Sequence, residues 1–246
     1  MVHVGQLWEL VLNLLYPPQC CACGQATDRP EFCRRCCAQI EAPHTPLCSI
    51  CGVPFRTHGD TDHPCSRCLD RPPRFRRARA CAIYDAADSV THPLKTVLQR
   101  YKYGRDVTLV RPLARLLTER SPLVLADYDL IVPVPLHLDR LRWRGFNQSQ
   151  FLAHALARGS GIRVDAFSLQ RMHATRPQVQ LREADRRHNV RHAFRVARPG
   201  HVHGRRLLLV DDVYTTGATA DECSRVLRRA GARSVDVLVL ARAVLH

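Results

Sequence analysis

Beyond residue 80 the apolar positions follow two alternating rhythms. Short continuous runs at 80–84, 129–134, 206–210 and 235–241 predict buried strands. Three-and-four spacing at 92–101, 107–119, 147–158 and 218–230 predicts helices, the last two stopped by Gly159 and Gly231. Strands that alternate with helices in this way imply an α/β unit, a mostly parallel sheet covered on both faces. At the other end, Leu7, Leu10, Val11, Leu14 and Leu15 trace a short amphipathic helix closed by Pro17-Pro18. It is too short to cross a bilayer, contains Glu9 and Asn13, and lacks the basic start and cleavage site of an export signal, so a cytoplasmic protein without a membrane span is expected. Between 20 and 70 large apolar residues are too sparse for a core. Residues 71–79, with five arginines and two prolines, read as an extended connector. Three segments follow: an N-terminal helix (1–18), a cysteine-rich unit (19–71) and the α/β unit (72–246).

The cysteine-rich unit repeats itself. Cys20-x-x-Cys23-Gly24 precedes Cys33-x-Arg35-Cys36, and Cys48-x-x-Cys51-Gly52 precedes Cys65-x-Arg67-Cys68. Two residues between paired cysteines let both sulfurs reach one tetrahedral zinc, and the following glycine permits the tight knuckle. Twelve cysteines in a reducing compartment point to metal before disulfides. We expect two structural Zn2+ sites in sequential ribbons; a cross-braced arrangement would use the same eight residues in another order. Four sulfurs leave no open position for catalysis. Cys21 and Cys37 could compete as ligands, His44, His58 and His63 read as surface residues, and Cys81 and Cys223 read as core.

The chain of 246 residues carries a net charge of +15, and its distribution is uneven. Residues 1–70 hold 5 basic against 7 acidic side chains, and residues 71–246 hold 32 against 15, so the positive excess belongs to the α/β unit. Such a field attracts polyphosphates, nucleic acid or acidic partners. Only Lys95 and Lys102 are lysines, a bias toward arginine that accounts for much of the excess.

The sharpest chemistry lies in Leu207-Leu208-Leu209-Val210-Asp211-Asp212-Val213-Tyr214-Thr215-Thr216-Gly217-Ala218-Thr219. A buried strand ends in two carboxylates and passes through a small-residue loop into a helix. In open α/β sheets ligands bind at this edge, where loop N–H groups, hydroxyls and the helix dipole can hold a phosphate. Asp211 and Asp212 can accept ribose hydroxyls and support Mg2+. A Walker loop is absent, and no lysine follows Lys102 to complete a phospho-acceptor receiver.

Val210–Thr219 resembles the phosphoribosyl diphosphate (PRPP) motif of type I phosphoribosyltransferases. The likeness extends to the ComF/GntX family through Leu15–Cys20, the cysteine repeat, Tyr101-Lys102-Tyr103-Gly104-Arg105, Val132–His137, Arg144-Gly145-Phe146-Asn147-Gln148, Thr175-Arg176-Pro177-Gln178 and Asn189–Phe194. Tyr214 and the doubled Cys20-Cys21 depart from the pattern. The resemblance implies a phosphoribosyltransferase-like parallel sheet behind a double zinc ribbon. It further implies Asp211 and Asp212 as catalytic ribose ligands, and Thr215, Thr216, Gly217, Ala218 and Thr219 as holders of the 5′-phosphate. Lys102, Arg142 and Arg144 become cations for the diphosphate or its magnesium, His137 and Tyr103 candidate contacts, and Arg176 and Arg191 parts of a lid. The implied activity is pentosyl transfer from PRPP, or a related phosphoribosyl ligand, to an acceptor that the sequence does not name. The alternative is a competence-associated protein of DNA uptake that binds single-stranded DNA or senses PRPP without turnover, with single-stranded DNA or competence proteins as partners; a third reading is a zinc-ribbon adaptor for other proteins.

Overall fold

The computed structural model describes residues 16–55, 59, 61–85, 92–173 and 190–244. The N-terminal helix, His58, the Thr175–Gln178 motif with Arg176, and Asn189 lie outside the described residues. A parallel sheet in the order β1-β6-β5-β2 organises the rest, with β1 Ala78–Asp85, β2 Leu130–Pro133, β5 Arg206–Tyr214 and β6 Ser234–Val244. Val164 adds a parallel bridge to Ile131 beyond β2. The two central strands are continuous apolar runs because both faces are covered, so successive side chains enter opposite cores.

On one face, Leu208, Val210, Leu238 and Leu240 pack beneath Leu94 and Leu98 of α3 (Pro93–Tyr103), Leu113 and Leu117 of α4 (Val110–Glu119), and Leu152 and Leu156 of α6 (Gln148–Ser160). On the other, Leu207, Leu209, Val237 and Val239 meet Cys223 and Leu227 of α8 (Ala218–Arg229). Leu169 and Phe194 complete this core from an antiparallel pair, β3 Leu169–Arg171 and β4 Phe194–Val196. Cys81 and Cys223 are buried as expected.

Several boundaries differ from the pattern-based ones. Helix α6 passes Gly159 and closes at Gly161, whose φ of 69° provides the left-handed cap. The 107–119 segment opens with a 3-10 turn, Val107–Leu109, before α4. The strand predicted to stop at 210 continues to Tyr214 because β6 keeps pairing with it, through Asp211–Val239 to Tyr214–Arg242. A short helix α5, Leu138–Arg144, went unpredicted because its residues are mostly polar.

The supposed connector is fastened to the sheet. Asp236 of β6, wholly buried, accepts hydrogen bonds from Arg76 Nε and Nη2 at 2.9 and 2.7 Å, Arg77 Nε at 2.9 Å and the Tyr128 hydroxyl at 2.7 Å. Arg76 and Arg77 therefore neutralise a core carboxylate, and the strand starts at Ala78, not at 80. The ribbons close the outer edge of β1. Ala78 N donates to Ile50 O at 2.7 Å and Ile83 N to Glu41 O at 2.9 Å. Both bonds use N–H groups that an edge strand would otherwise expose.

Burial works against ionisation of Asp236, but its Arg76, Tyr128 and Arg77 partners outweigh it and hold the carboxyl below its ordinary value. This stabilisation is complete above the unfolded carboxylate pKa of about 3.9 and is lost as pH falls through the lower folded value. Asp236→Asn should destabilise the chain by roughly 3 kcal/mol at pH 7. In denaturant titrations the deficit should shrink below pH 4.

Candidate functional site

The eight cysteines form two groups in sequential order: Cys20, Cys23, Cys33 and Cys36, then Cys48, Cys51, Cys65 and Cys68, with all sulfurs of each group within 4.8 Å of one another. A tetrahedron with bonds of about 2.3 Å has edges of about 3.8 Å. Cys23 and Cys33 stand 3.8 Å apart, and Cys51 and Cys65 3.9 Å apart. Backbone geometry prepares the thiolates: Cys48 Sγ accepts from Cys51 N and Cys65 N at 3.3 Å each. Burial raises the Cys48 thiol, yet these N–H bonds outweigh it and bring the pKa down to about 6. Gly52, with φ +71°, lies so close to β1 that a Cβ would stand 2.5 Å from Ala78 O. Cys21 belongs to the core, Cys37 accepts from Arg120 Nη2, and His63 stacks on Phe55, so none of them joins a metal group.

The second constellation forms where β2 parts from β5. Val134 N still bonds Val210 O at 2.9 Å; beyond that point β5 runs on without β2, and helix ends enter the gap. From α3, Lys102 Nζ reaches Asp212 Oδ1 at 2.9 Å. From the first turn of α6, Ser149 Oγ donates to Asp211 Oδ1 at 2.8 Å. Asn147 caps that helix through Ser149 N and ties it to Val134 O with Nδ2 at 3.1 Å. At the end of α5, Arg144 is buried, lies 5.7 Å from the Tyr103 ring centroid, and has no hydrogen-bond partner for Nε among the described residues.

Asp212 is only 7% exposed, and Asp211 is half-buried. Burial, followed by the charge of Asp212, pushes Asp211 up to about 7. Burial opposes the Lys102 charge, but Asp212 more than offsets this and holds the ammonium pKa above its ordinary value. Burial lowers Arg144, with Asp212 opposing.

From Tyr214 the chain turns through Thr215 and Thr216 to Gly217, the α8 N-cap with φ +79°. Thr216 and Ala218 are buried, while Thr215, Gly217 and Thr219 remain half-buried on the accessible side. Arg142 is exposed beside Asp139, and His137 caps α5 through Asp139 N, so neither joins the carboxylates. Arg191 is exposed. Ser149 was not anticipated; its only signal was the N-cap position of Asn147 ahead of a helical pattern.

These features define a protein with a double zinc ribbon joined to a parallel α/β unit, whose sheet edge carries paired carboxylates and a threonine-rich loop. The double zinc ribbon domain family matches residues 11–69. DNA utilization protein YhgH of Salmonella typhi is 36% identical over 211 residues, spanning 84% of this chain and 88% of its own length. Competence protein F of Haemophilus influenzae is 33% identical over 218 residues, 86% of this chain and 90% of its own. Competence protein ComFC of Bacillus subtilis is 26% identical, covering 86% and 84%. The chain belongs to the ComF family, and its fold is a parallel α/β sheet behind a double zinc ribbon. Similar solved structures include the allosteric regulatory enzyme of purine biosynthesis (26% identity, TM-score 0.36, 53% of this chain and 25% of that one). Another is adenine phosphoribosyltransferase from Leishmania tarentolae (12% identity, TM-score 0.38, 70% and 93%). Among the described residues no helix is long and apolar enough to cross a membrane.

Elemental analysis of protein purified without added zinc should give about two Zn2+ per chain, as expected for closed four-thiolate sites at neutral pH. A value near one would exclude two separate ribbons.

Proposed function

We propose that this chain binds PRPP with Mg2+ at the end of β5 and transfers its phosphoribosyl group. The observation that carries this reading is the direct succession, on one strand and its exit, of Asp211-Asp212 and the Thr215–Thr219 loop into α8. Loop amides and the helix N-terminus suit the 5′-phosphate, and the carboxylates suit the ribose hydroxyls. Lys102 and Arg144 stand beside the carboxylates as cations for the diphosphate. Oxygen donors from Asp211 and Asp212 are the hard ligands Mg2+ prefers, and the ion would supply charge neutralisation of the diphosphate when bound. In transfer, the C1–O bond breaks with its electron pair leaving on diphosphate, and the acceptor's lone pair forms the new bond at C1. No protein nucleophile is required; orientation and charge stabilisation supply the acceleration. In this reading residues 19–71 are the ribbon unit, residues 72–246 the transferase-like unit, and a reducing cytoplasm keeps the thiolates available for zinc.

A second reading, single-stranded DNA binding in a competence role, draws support from the aromatic rim of the site. Tyr103 and Trp143 are about half exposed, and Arg105 lies 4.9 Å from the Trp143 ring centroid. Exposed aromatics among arginines can stack nucleobases. The names of the relatives, DNA utilization and competence proteins, favour a nucleic-acid context for either reading.

Calorimetry with PRPP and Mg2+, followed by assay of diphosphate release against free bases and single-stranded DNA, distinguishes the two. Asp211→Asn with Asp212→Asn should abolish magnesium-dependent PRPP binding while the chain stays folded by circular dichroism. Unchanged affinity would reduce the motif to a structural turn.

Lys102→Arg keeps the charge but replaces a compact ammonium by a planar fork beside Asp212, and should weaken PRPP binding by about fivefold. Lys95→Arg, on the same helix, should be nearly silent in the same titration. Equal, negligible effects of the two substitutions would return the electrostatic role to the arginines.

A further inference from the structure

We infer that the second zinc ribbon is a positioning element of the phosphate loop, acting through Arg67, which fixes the Thr216–Gly217 peptide, and through Arg242 and Tyr214, which support Gly217 from beneath. This rests on reading 215–219 as a phosphate loop and assigns the second ribbon a role in it.

Arg67 lies in α2 (Ser66–Asp70), one residue before the zinc ligand Cys68. Its Nη2 donates to Thr216 O at 2.7 Å across 149 residues of sequence. In a trans peptide the carbonyl and the following N–H point in opposite directions. Holding Thr216 O toward the ribbon therefore aims Gly217 N–H away from it, as an amide of an anion-binding loop must be aimed. Gly217 makes this clamp necessary, because glycine admits both orientations of the preceding peptide at small cost.

The support beneath the loop leads to the same zinc site. A Cβ on Gly217 would stand 2.1 Å from the Tyr214 hydroxyl oxygen, so the turn rests on that buried ring. Tyr214 lies in edge contact with Phe75, and its ring centroid is 4.5 Å from the Arg242 guanidinium carbon. Arg242 donates Nη1 to Cys51 O at 2.6 Å and Nη2 to Cys51 Sγ at 3.8 Å. A third link joins the chain leaving the ribbon to the first turn of α8, Arg74 N donating to Asp221 Oδ1 at 2.6 Å. The first ribbon faces elsewhere: Arg100 donates to Cys21 O, and Arg120 to Ile40 O, both at 2.6 Å. Its equivalent arginine, Arg35, occupies the same place in the Cys-x-Arg-Cys repeat and supplies an internal control.

The test uses the full zinc-loaded chain and compares Arg67→Met, Arg67→Lys and Arg35→Met with wild type. Three quantities are read: zinc content, amide exchange of the 215–219 peptide without ligand, and PRPP–magnesium affinity by calorimetry. Arg67→Met should keep two zinc ions, speed loop exchange about tenfold and weaken PRPP binding about tenfold, as loss of one charged hydrogen bond implies. Arg67→Lys, which can still donate to the carbonyl, should recover part of both changes, and Arg35→Met should match wild type. If Arg67→Met releases zinc, Arg67→Gln replaces it under the same criteria. Loop exchange in the zinc-loaded Arg67 variant equal to that of Arg35→Met would overturn the inference. Absence of PRPP binding by wild type would instead overturn the functional reading, with the exchange comparison still deciding the role of the ribbon.

Discussion

An edge strand with free N–H groups cannot stay bare, and the architecture turns on how β1 meets this constraint. Two carbonyls from the cysteine-rich unit, Ile50 O and Glu41 O, occupy its outer edge near both ends. Parallel sheets need cover on every side because their strands are apolar on both faces. The ribbons supply the cover that another strand would give, and they have almost no apolar core of their own. Each unit thus lacks what the other provides. Metal-held loops present carbonyls at fixed positions, while the sheet offers a rigid edge against which those loops become ordered.

The same division places charge. Asp236 is buried where the chain leaves the ribbons, and its arginine partners come from the segment that joins the two units. Leaving such a carboxylate unpaired costs far more than the pair itself returns, so the contact fixes the path of the chain more than it raises stability. At the opposite end of the sheet the balance is different. Asp211 and Asp212 stand together with one ammonium and one buried guanidinium near them, two charges of each sign, and burial together with crowding by Asp212 raises the pKa of Asp211.

Much of this was legible in the sequence for identifiable reasons. The zinc quartets depend on local spacing, and the major strands and helices on periodicity, so both appear without knowledge of the fold. Asp211, Asp212 and the loop are contiguous and could be read as one unit. Ser149, the Arg67–Thr216 contact and the role of Arg76 and Arg77 were not legible, because each joins residues distant in sequence and none has a distinctive local pattern. The persistence of β5 to Tyr214 escaped for a related reason: pairing with β6 overrides the low strand propensity of two aspartates. The arginine-rich connector reads as unattached because composition does not show partners, whereas one buried carboxylate holds Arg76 and Arg77 by their guanidinium tips while Arg76 stays exposed.

Helix α3 is anchored at both of its responsibilities within a single turn: Arg100 holds Cys21 O of the first ribbon, and Lys102, two residues later, holds Asp212. Two residues of α-helix turn the chain by about 200°, which sends these side chains to nearly opposite sides of one rod. A single inserted residue between them would swing Lys102 through about 100° and strand either the ammonium or the guanidinium. This stretch is consequently a fixed-length spacer. Its side chains can be exchanged one at a time, but its residue count cannot drift as a surface loop's does, and insertions compatible with this geometry are confined to the segments flanking the helix.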